Sequence, residues 1–238
     1  MRAPSKSDKP NSDQSEGRDE GVRLDPAVMA AARRLAERGA RTLLGIVGPP
    51  GAGKSSVSEA LAPPLGAAMQ VVPMDGFHLA QCQLERLGLA GRKGAPDTFD
   101  GDGYLALLAR LKRAPAGETI YAPGFYRDIE EPIAASIAVP PETPLVVTEG
   151  NYLLLREPPW SRVAALLDEI WYLDVETDLR ERWLIERHVH FGKSEPHARD
   201  FVAKSDRPNA ERIEASRHRA DRFLCWDGAT IRFSDGPL

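Results

Sequence analysis

Gly48-Pro49-Pro50-Gly51-Ala52-Gly53-Lys54-Ser55 sets three glycines ahead of a lysine and a hydroxyl. The glycines permit a tight turn whose backbone N–H groups converge on an anion. A helix starting there adds its positive end. A lysine in this place reaches the β- and γ-phosphates of a nucleotide, and the serine hydroxyl suits Mg²⁺. The octet follows the apolar run Leu43-Leu44-Gly45-Ile46-Val47 and opens the helix-compatible stretch Ser56-Val57-Ser58-Glu59-Ala60-Leu61. This strand, turn and helix context is what the chemistry needs. A glycine-rich turn without chemistry would require neither Lys54 nor Ser55. The predicted nucleotide-binding residues are Gly48, Gly51, Ala52, Gly53, Lys54, Ser55 and Ser56.

Two carboxylates stand where strands should end. Asp75 closes the apolar run Met69–Val72 and its Pro73-Met74 extension. Ligands of open α/β sheets sit at the carboxyl ends of the strands, so Asp75 is expected on the edge that carries the loop. It could take or orient the proton of an attacking hydroxyl. Asp-Gly is equally a common turn pair. Glu149 ends Leu145-Val146-Val147-Thr148 and could hold Mg²⁺ directly or through water. An acid at a strand-to-loop junction is the plainer reading.

Cations form a third group. Arg180, Arg182 and Arg187, with His188 and His190, lie on one charged segment before Gly192-Lys193. A guanidinium on a closing segment stabilises charge on a moving phosphoryl group. A solvated helix face with Glu181 and Glu186 as partners explains any single arginine as well. His188 and His190 fall on different helix faces, which is not a metal-binding spacing. Arg92-Lys93 and Arg127 lie in irregular segments and suit an anionic or polar substrate, or plain surface charge. Phe99, Tyr121, Phe125 and Tyr126 could wall a pocket or pack those segments.

The positioning elements follow from pattern. Asp25-Pro26 is a helix start, with Ala27–Arg38 amphipathic and Gly39 ending it. Strands are predicted over Thr42–Val47, Met69–Val72, Pro144–Thr148, Ile170–Val175 and Thr230–Phe233. Helices are predicted after the glycine-rich loop to Leu61, stopped by Pro63-Pro64, then over Leu105–Leu111, Trp160–Leu167, Asp178–His190 and Ala210–Arg222. Phe77–Asp100 reads as irregular, and Thr119–Val139 could hold a small hairpin. Strands alternating with helices predict a mainly parallel sheet covered on both faces. The long irregular segments are read as functional insertions.

Composition sets the bounds. A chain of 238 residues, 42% hydrophobic and 28% charged, suits one α/β domain. The expected organisation is a disordered tail over residues 1–22 and a single domain over 23–238. The net charge of −4 argues against nucleic acid as the main partner. Cys82 and Cys225 have no paired spacing and read as thiols of a reducing cytoplasm. No stretch reaches the length of a membrane span. The sequence does not fix an oligomeric state, and a homodimer is compatible with it.

Together these residues resemble the phosphoribulokinase/uridine kinase family, which includes the P-loop pantothenate kinases. They look most like its bacterial nucleoside/nucleotide kinase-like members labelled fructose transport system kinases. The resemblance spans about Thr42 to Leu224. Gly48–Ser55 matches the family's nucleotide loop. Asp75-Gly76-Phe77-His78 matches its strand-end block, which implies Asp75 as catalytic base or hydroxyl-orienting group. Arg92-Lys93-Gly94-Ala95-Pro96-Asp97-Thr98-Phe99-Asp100 is similar to substrate-site blocks of the pantothenate and uridine kinases. Glu149-Gly150-Asn151-Tyr152 looks like the turn after the Walker B strand, and Arg187–Gly192 like the lid. Arg207-Pro208-Asn209 and Ala215-Ser216-Arg217 resemble blocks of the fructose transport kinase-like group. His78 stands where uridine kinases have tyrosine, and Tyr121–Arg127 lacks their histidine. Uridine is therefore not the implied substrate.

The resemblance implies an α/β fold of the P-loop NTPase type with lid and substrate-site insertions. It implies a kinase that moves the γ-phosphoryl group of ATP, with Mg²⁺, to a hydroxyl of a small polar metabolite. ATP is preferred to GTP because no Asn-Lys-x-Asp pattern follows the loop. Expected roles are Lys54, Asp75 and Arg187 in catalysis, and Arg182 with the loop at the nucleotide. Ser55 and Glu149 are expected at the metal, and His78, Arg92, Lys93, Phe99, Asp100, Tyr121 and Arg127 at the acceptor. Two other readings stay open: a switch or chaperone-type NTPase without a small acceptor, and a nucleotide kinase gripping a phosphorylated acceptor through Arg92, Lys93 or Arg127.

Overall fold

A computed structural model describes residues 22–113 and 116–238. The tail expected over 1–22 lies, except for Val22, outside the described residues. The chain runs β1 (Arg23–Leu24), α1 (Pro26–Ala36), β2 (Thr42–Val47), α2 (Lys54–Leu65), β3 (Met69–Val71), α3 (Gln81–Leu87) and α4 (Gly101–Arg113). It continues with β4 (Ile120–Tyr126), β5 (Glu131–Val139), β6 (Leu145–Gly150), β7 (Glu169–Asp174), α5 (Thr177–His190), α6 (Glu195–Phe201), α7 (Arg207–Glu214), β8 (Arg222–Asp227) and β9 (Thr230–Ser234). The main sheet has the order β1-β9-β8-β7-β2-β6-β3, while β4 and β5 form a separate antiparallel ribbon. All pairings in the main sheet are parallel except β8 with β9.

β2 is the central strand. Thr42 to Val47 lie opposite Leu145 to Gly150 of β6, and Leu44 to Val47 lie opposite Glu169 to Tyr172 of β7. Every residue of β2 is buried because both faces are covered, hence its continuous apolar run. Alternation then sorts the side chains. Leu43 and Val47 join Val146, Ile170 and Tyr172 under α4. Leu44 and Ile46 join Val147, Trp171 and Leu173 under α1 and α2. The register brings the ends of β2 and β6 level, so the loop after Val47 and the turn after Gly150 open side by side.

The Asp25 side chain accepts a hydrogen bond from the Ala27 N–H at 2.8 Å, the cap expected for α1. The hairpin expected in Thr119–Val139 is the β4–β5 ribbon. Several expectations need correction. Pro63 and Pro64 lie inside α2, which ends only before Gly66. Proline's φ is helical, so two prolines in the last turn remove N–H bonds without ending it. Phe77–Asp100 contains α3, which is too short to show a clear period. Trp160–Leu167 is two 3₁₀ turns rather than one helix. The last helix ends at Glu214, and β8 begins at Arg222. α6 and the two-residue β1 have no counterpart among the expected elements. No helix of the described residues is long and apolar enough to cross a membrane.

Candidate active site

The loop from Gly48 leads from β2 into α2, and Gly53 is the residue before the first helical turn. Gly53 has φ +94°, and a Cβ there would lie 2.8 Å from the Trp226 ring. Trp226, on β8, donates its indole N–H to the Ala52 carbonyl at 3.0 Å and pins the loop from outside. From the other side, the buried Arg180 reaches the Pro50 carbonyl at 3.4 Å and Glu214 at 3.5 Å. Arg180 is thus a support beneath the loop.

Lys54 is buried at the floor of a cleft of about 190 Å³. Its ammonium donates to the Pro49 carbonyl at 3.2 Å and to Asn151 Oδ1 at 2.7 Å. Desolvation pushes its pKa down to about 8, against the pull of Glu149 and Asp75 and with a smaller push from Arg187 and Arg127. A cation held dry in this way is primed for a stronger anion. The Ser55 hydroxyl donates to Glu149 Oε1 at 2.9 Å. Burial, then the nearby Asp75 carboxylate, push the Glu149 pKa up, while Lys54 and the Ser55 bond oppose the shift. A hydroxyl and a crowded carboxylate facing one cleft form a hard-oxygen donor pair of the kind Mg²⁺ takes.

Asp75 lies in the 3₁₀ turn Met74–Phe77 just beyond β3. That turn is held in two ways. Phe77 accepts from the Asp100 N–H at 2.8 Å, and Leu79 donates to the Thr98 carbonyl at 2.9 Å, so His78 pairs with Phe99 as an isolated bridge. Gly76 approaches the ribbon so closely that a Cβ would sit 2.2 Å from the Pro123 carbonyl oxygen. Arg127, at the ribbon's tip, places a guanidinium nitrogen 3.6 Å from Asp75 Oδ2.

A second cavity of about 500 Å³ adjoins the cleft. Pro50, Asp75, Arg127, Asn151 and Arg187 line both. His78, Phe99 and Phe125 give the second cavity an aromatic wall, with ring centroids 4.0 and 4.7 Å from His78. His78 Nδ1 contacts the Asp75 carbonyl at 2.8 Å, and desolvation lowers its pKa against the pull of Asp75, which favours the neutral ring. Lys93 lies over the Phe125 ring at 5.6 Å and Arg127 at 5.9 Å. Arg187 opens to both cavities, where the surrounding protein and then Arg127 push its pKa down.

Among the expected site residues, the structure brings Gly51, Gly53, Lys54, Ser55, Ser56, Asp75, Glu149 and Arg187 into the loop cleft. His78, Lys93, Phe99 and Arg127 meet in or beside the second cavity. Gly48 and Ala52 are buried in the loop's backbone path. Four residues fall elsewhere. Arg182 is exposed on α5 and lines neither cavity, because its neighbours Arg180 and Leu184 take the inward face. Asp100 Oδ1 accepts from the Gly103 N–H and caps α4. Tyr121 points to solvent from β4, 57% exposed, since alternation turns Ile120 and Ala122 inward. Arg92 pairs with Asp97 at 3.0 Å on the outer surface, lining a neighbouring groove. Asn151 and Arg180 were not singled out individually by the sequence. Asn151 follows the Glu149-Gly150 pair, and only the level ends of β2 and β6 bring it to Lys54.

No protein-family model matches the chain. It is 38% identical over 125 residues to an ATP-dependent kinase-like protein, notR', of Aspergillus versicolor, covering 50% of this chain and 73% of the relative. It is 33% identical over 195 residues to a Schizosaccharomyces pombe protein provisionally named uridine kinase C227.14, covering 77% and 83%. Among solved structures, a Silicibacter protein provisionally named a fructose transport system kinase superposes with a TM-score of 0.74 at 36% identity, covering 84% of this chain and 98% of that one. The chain belongs to the uridine kinase-like group of P-loop kinases.

Proposed function

We propose that the protein is an ATP- and Mg²⁺-dependent kinase that transfers the γ-phosphoryl group to a hydroxyl of a small polar metabolite, such as a sugar, a nucleoside or a pantothenate-like compound. The observation that carries this reading is the shared wall. Asp75, Arg127, Asn151 and Arg187 face the loop cleft on one side and a separate cavity of about 500 Å³ on the other. That volume lies in the range of small-molecule sites. A cavity sharing that wall leaves room for an acceptor, which a switch-type NTPase does not require. The kinase names of the relatives point the same way.

The loop N–H groups and the α2 N-terminus would hold the phosphates, with Lys54 at the β- and γ-positions. Ser55 and Glu149 would hold Mg²⁺, which would neutralise phosphate charge when bound. Asp75 would orient the acceptor hydroxyl and take its proton as the oxygen attacks. Arg127 and Arg187 would balance charge on the moving group. His78, Phe99, Phe125 and Lys93 would define the acceptor's shape and polarity. Arg92, on the outer surface, is less suited to grip a phosphorylated acceptor than Lys93 or Arg127.

The test is ADP release from ATP and Mg²⁺ across a panel of sugars, nucleosides, vitamins and their monophosphates. At least one hydroxyl compound should raise turnover above slow hydrolysis. Asp75→Asn should keep binding a nonhydrolysable ATP analogue and lose about 10²–10⁴-fold in transfer. A panel with no stimulating acceptor, or a fully active Asp75→Asn, would overturn the reading.

A further inference from the structure

Asn151 lies within hydrogen-bond distance of Lys54 and lines both cavities. A lysine ammonium only donates, so the atom facing it at 2.7 Å is the carboxamide oxygen. That fixes which way the amide points: its –NH₂ group is turned away from Lys54. Asn151 forms part of the wall between the loop cleft and the second cavity, together with Asp75, Arg127 and Arg187. The neutral amide is therefore anchored by the charge beside it and carries two donors with no assigned use.

From this geometry we infer that Asn151 is a catalytic residue, whose –NH₂ group donates to an equatorial oxygen of the phosphoryl group as it crosses from cleft to cavity. Phosphoryl transfer spreads charge over those oxygens, so a fixed donor binds the moving group more strongly than the resting phosphate. The bond to Lys54 supplies the fixing. Two of the three ammonium N–H groups are taken by Pro49 and Asn151, which leaves one for a ligand in the cleft that Lys54 lines. Lys54 and Asn151 then form one rigid donor pair. The inference rests on the phosphoryl-transfer reading of this site, and the experiment separates the two.

Slow hydrolysis of ATP with Mg²⁺ reports the moving phosphoryl group without a known acceptor, and AMPPNP binding reports the ground state. Asn151→Leu, close in size, should lower hydrolysis about 10²-fold, the typical effect of losing one such donor. AMPPNP affinity should change less than threefold. Asn151→Asp keeps an oxygen toward Lys54 but replaces the donors with negative charge, so it should lose hydrolysis at least as far. Thermal melts of both variants within a few degrees of the parent exclude loss of fold. Asn151→Leu hydrolysis within threefold of the parent, or AMPPNP affinity falling in step with turnover, overturns the inference. Lys54→Met is the control. If it leaves hydrolysis intact, the site reading itself fails. If it abolishes hydrolysis while both Asn151 variants stay active, only the role of Asn151 fails.

Discussion

Burial of Lys54 makes a thermodynamic prediction that needs no substrate. Its pKa falls from 10.5 to about 8 in the folded protein, a difference worth about 3 kcal/mol. The charged form is disfavoured in the fold, so between those values the unfolded chain binds more protons than the native one. Stability then rises with pH across that window. The native protein bears the cost in full below pH 8 and sheds it as pH approaches 10.5. Integrating from pH 7 to pH 9.5 gives a relief of about 2 kcal/mol. Lys54→Met lacks the titration. Its lost bonds to Pro49 and Asn151 shift its stability equally at both pH values, and titrations away from the cleft are common to both proteins. Glu149, whose raised pKa Lys54 opposes, is raised further in the variant, which costs the variant stability as pH rises and so acts in the same direction. The measurement is urea unfolding of parent and variant at pH 7 and 9.5, with EDTA and without nucleotide. The parent should gain about 2 kcal/mol on the variant at the higher pH. A difference that stays within about 0.5 kcal/mol would mean that Lys54 is not held dry, and the argument that it is primed for phosphate would fall. The same linkage bears on binding: phosphate favours the charged lysine, so AMPPNP affinity should weaken above pH 8 in the parent and not in Lys54→Met.

Five further substitutions test how the site is held. Gly76→Ala should lower both stability, by about 1–3 kcal/mol, and activity, because a Cβ 2.2 Å from the Pro123 carbonyl oxygen must push the Asp75 turn off the ribbon; urea unfolding and turnover read the two effects. The buried Tyr104 hydroxyl bonds Thr148 Oγ1 at 2.6 Å, and Thr148 in turn donates to the Val72 carbonyl at 2.7 Å. Tyr104→Phe should therefore cost about 1 kcal/mol, and Thr148→Val more, since it strands groups on both sides. Arg187→Ala should reduce turnover at least tenfold while Arg182→Ala stays within twofold, because only Arg187 reaches the cavities; equal losses would mean that α5 turns on nucleotide binding.

The parts of the fold that were legible in the sequence owe their pattern to local physics. Asp25-Pro26 marks a helix start by capping alone, and Thr42–Val47 is a strand that must be apolar throughout because both faces are covered. What failed depends on distant partners. α3 runs only from Gln81 to Leu87 and buries only Leu84, so no period emerges. The segment after Glu214 leaves the helix because Arg222–Asp227 finds β7 on one side and β9 on the other. Pro63 and Pro64 misled for the opposite reason: a strong local signal applied to the last turn of a helix, where its cost is small.

The site divides along the same line. Gly48–Ser55 and Asp75-Gly76 are contiguous blocks whose chemistry is carried by spacing, and they stand where that spacing requires. The arginines of α5 are not decided by sequence alone, because Arg180, Arg182 and Arg187 carry the same charge on one helix. The helix sorts them. Arg180 and Leu184 share the buried face, which places Arg180 beneath Pro50 and leaves Arg182 on the outside. Arg187 lies at the far end of α5, where the helix has passed the loop and opens onto both cavities. Asp100 and Phe99 show the same division one residue apart: Phe99 packs against Tyr152 and Trp160 and lines the second cavity, while Asp100 is used to cap α4. A motif therefore locates a site to within a turn of chain. Which of two adjacent residues does the chemistry is settled by the face that the core has already claimed, and that face is set by residues elsewhere in the chain.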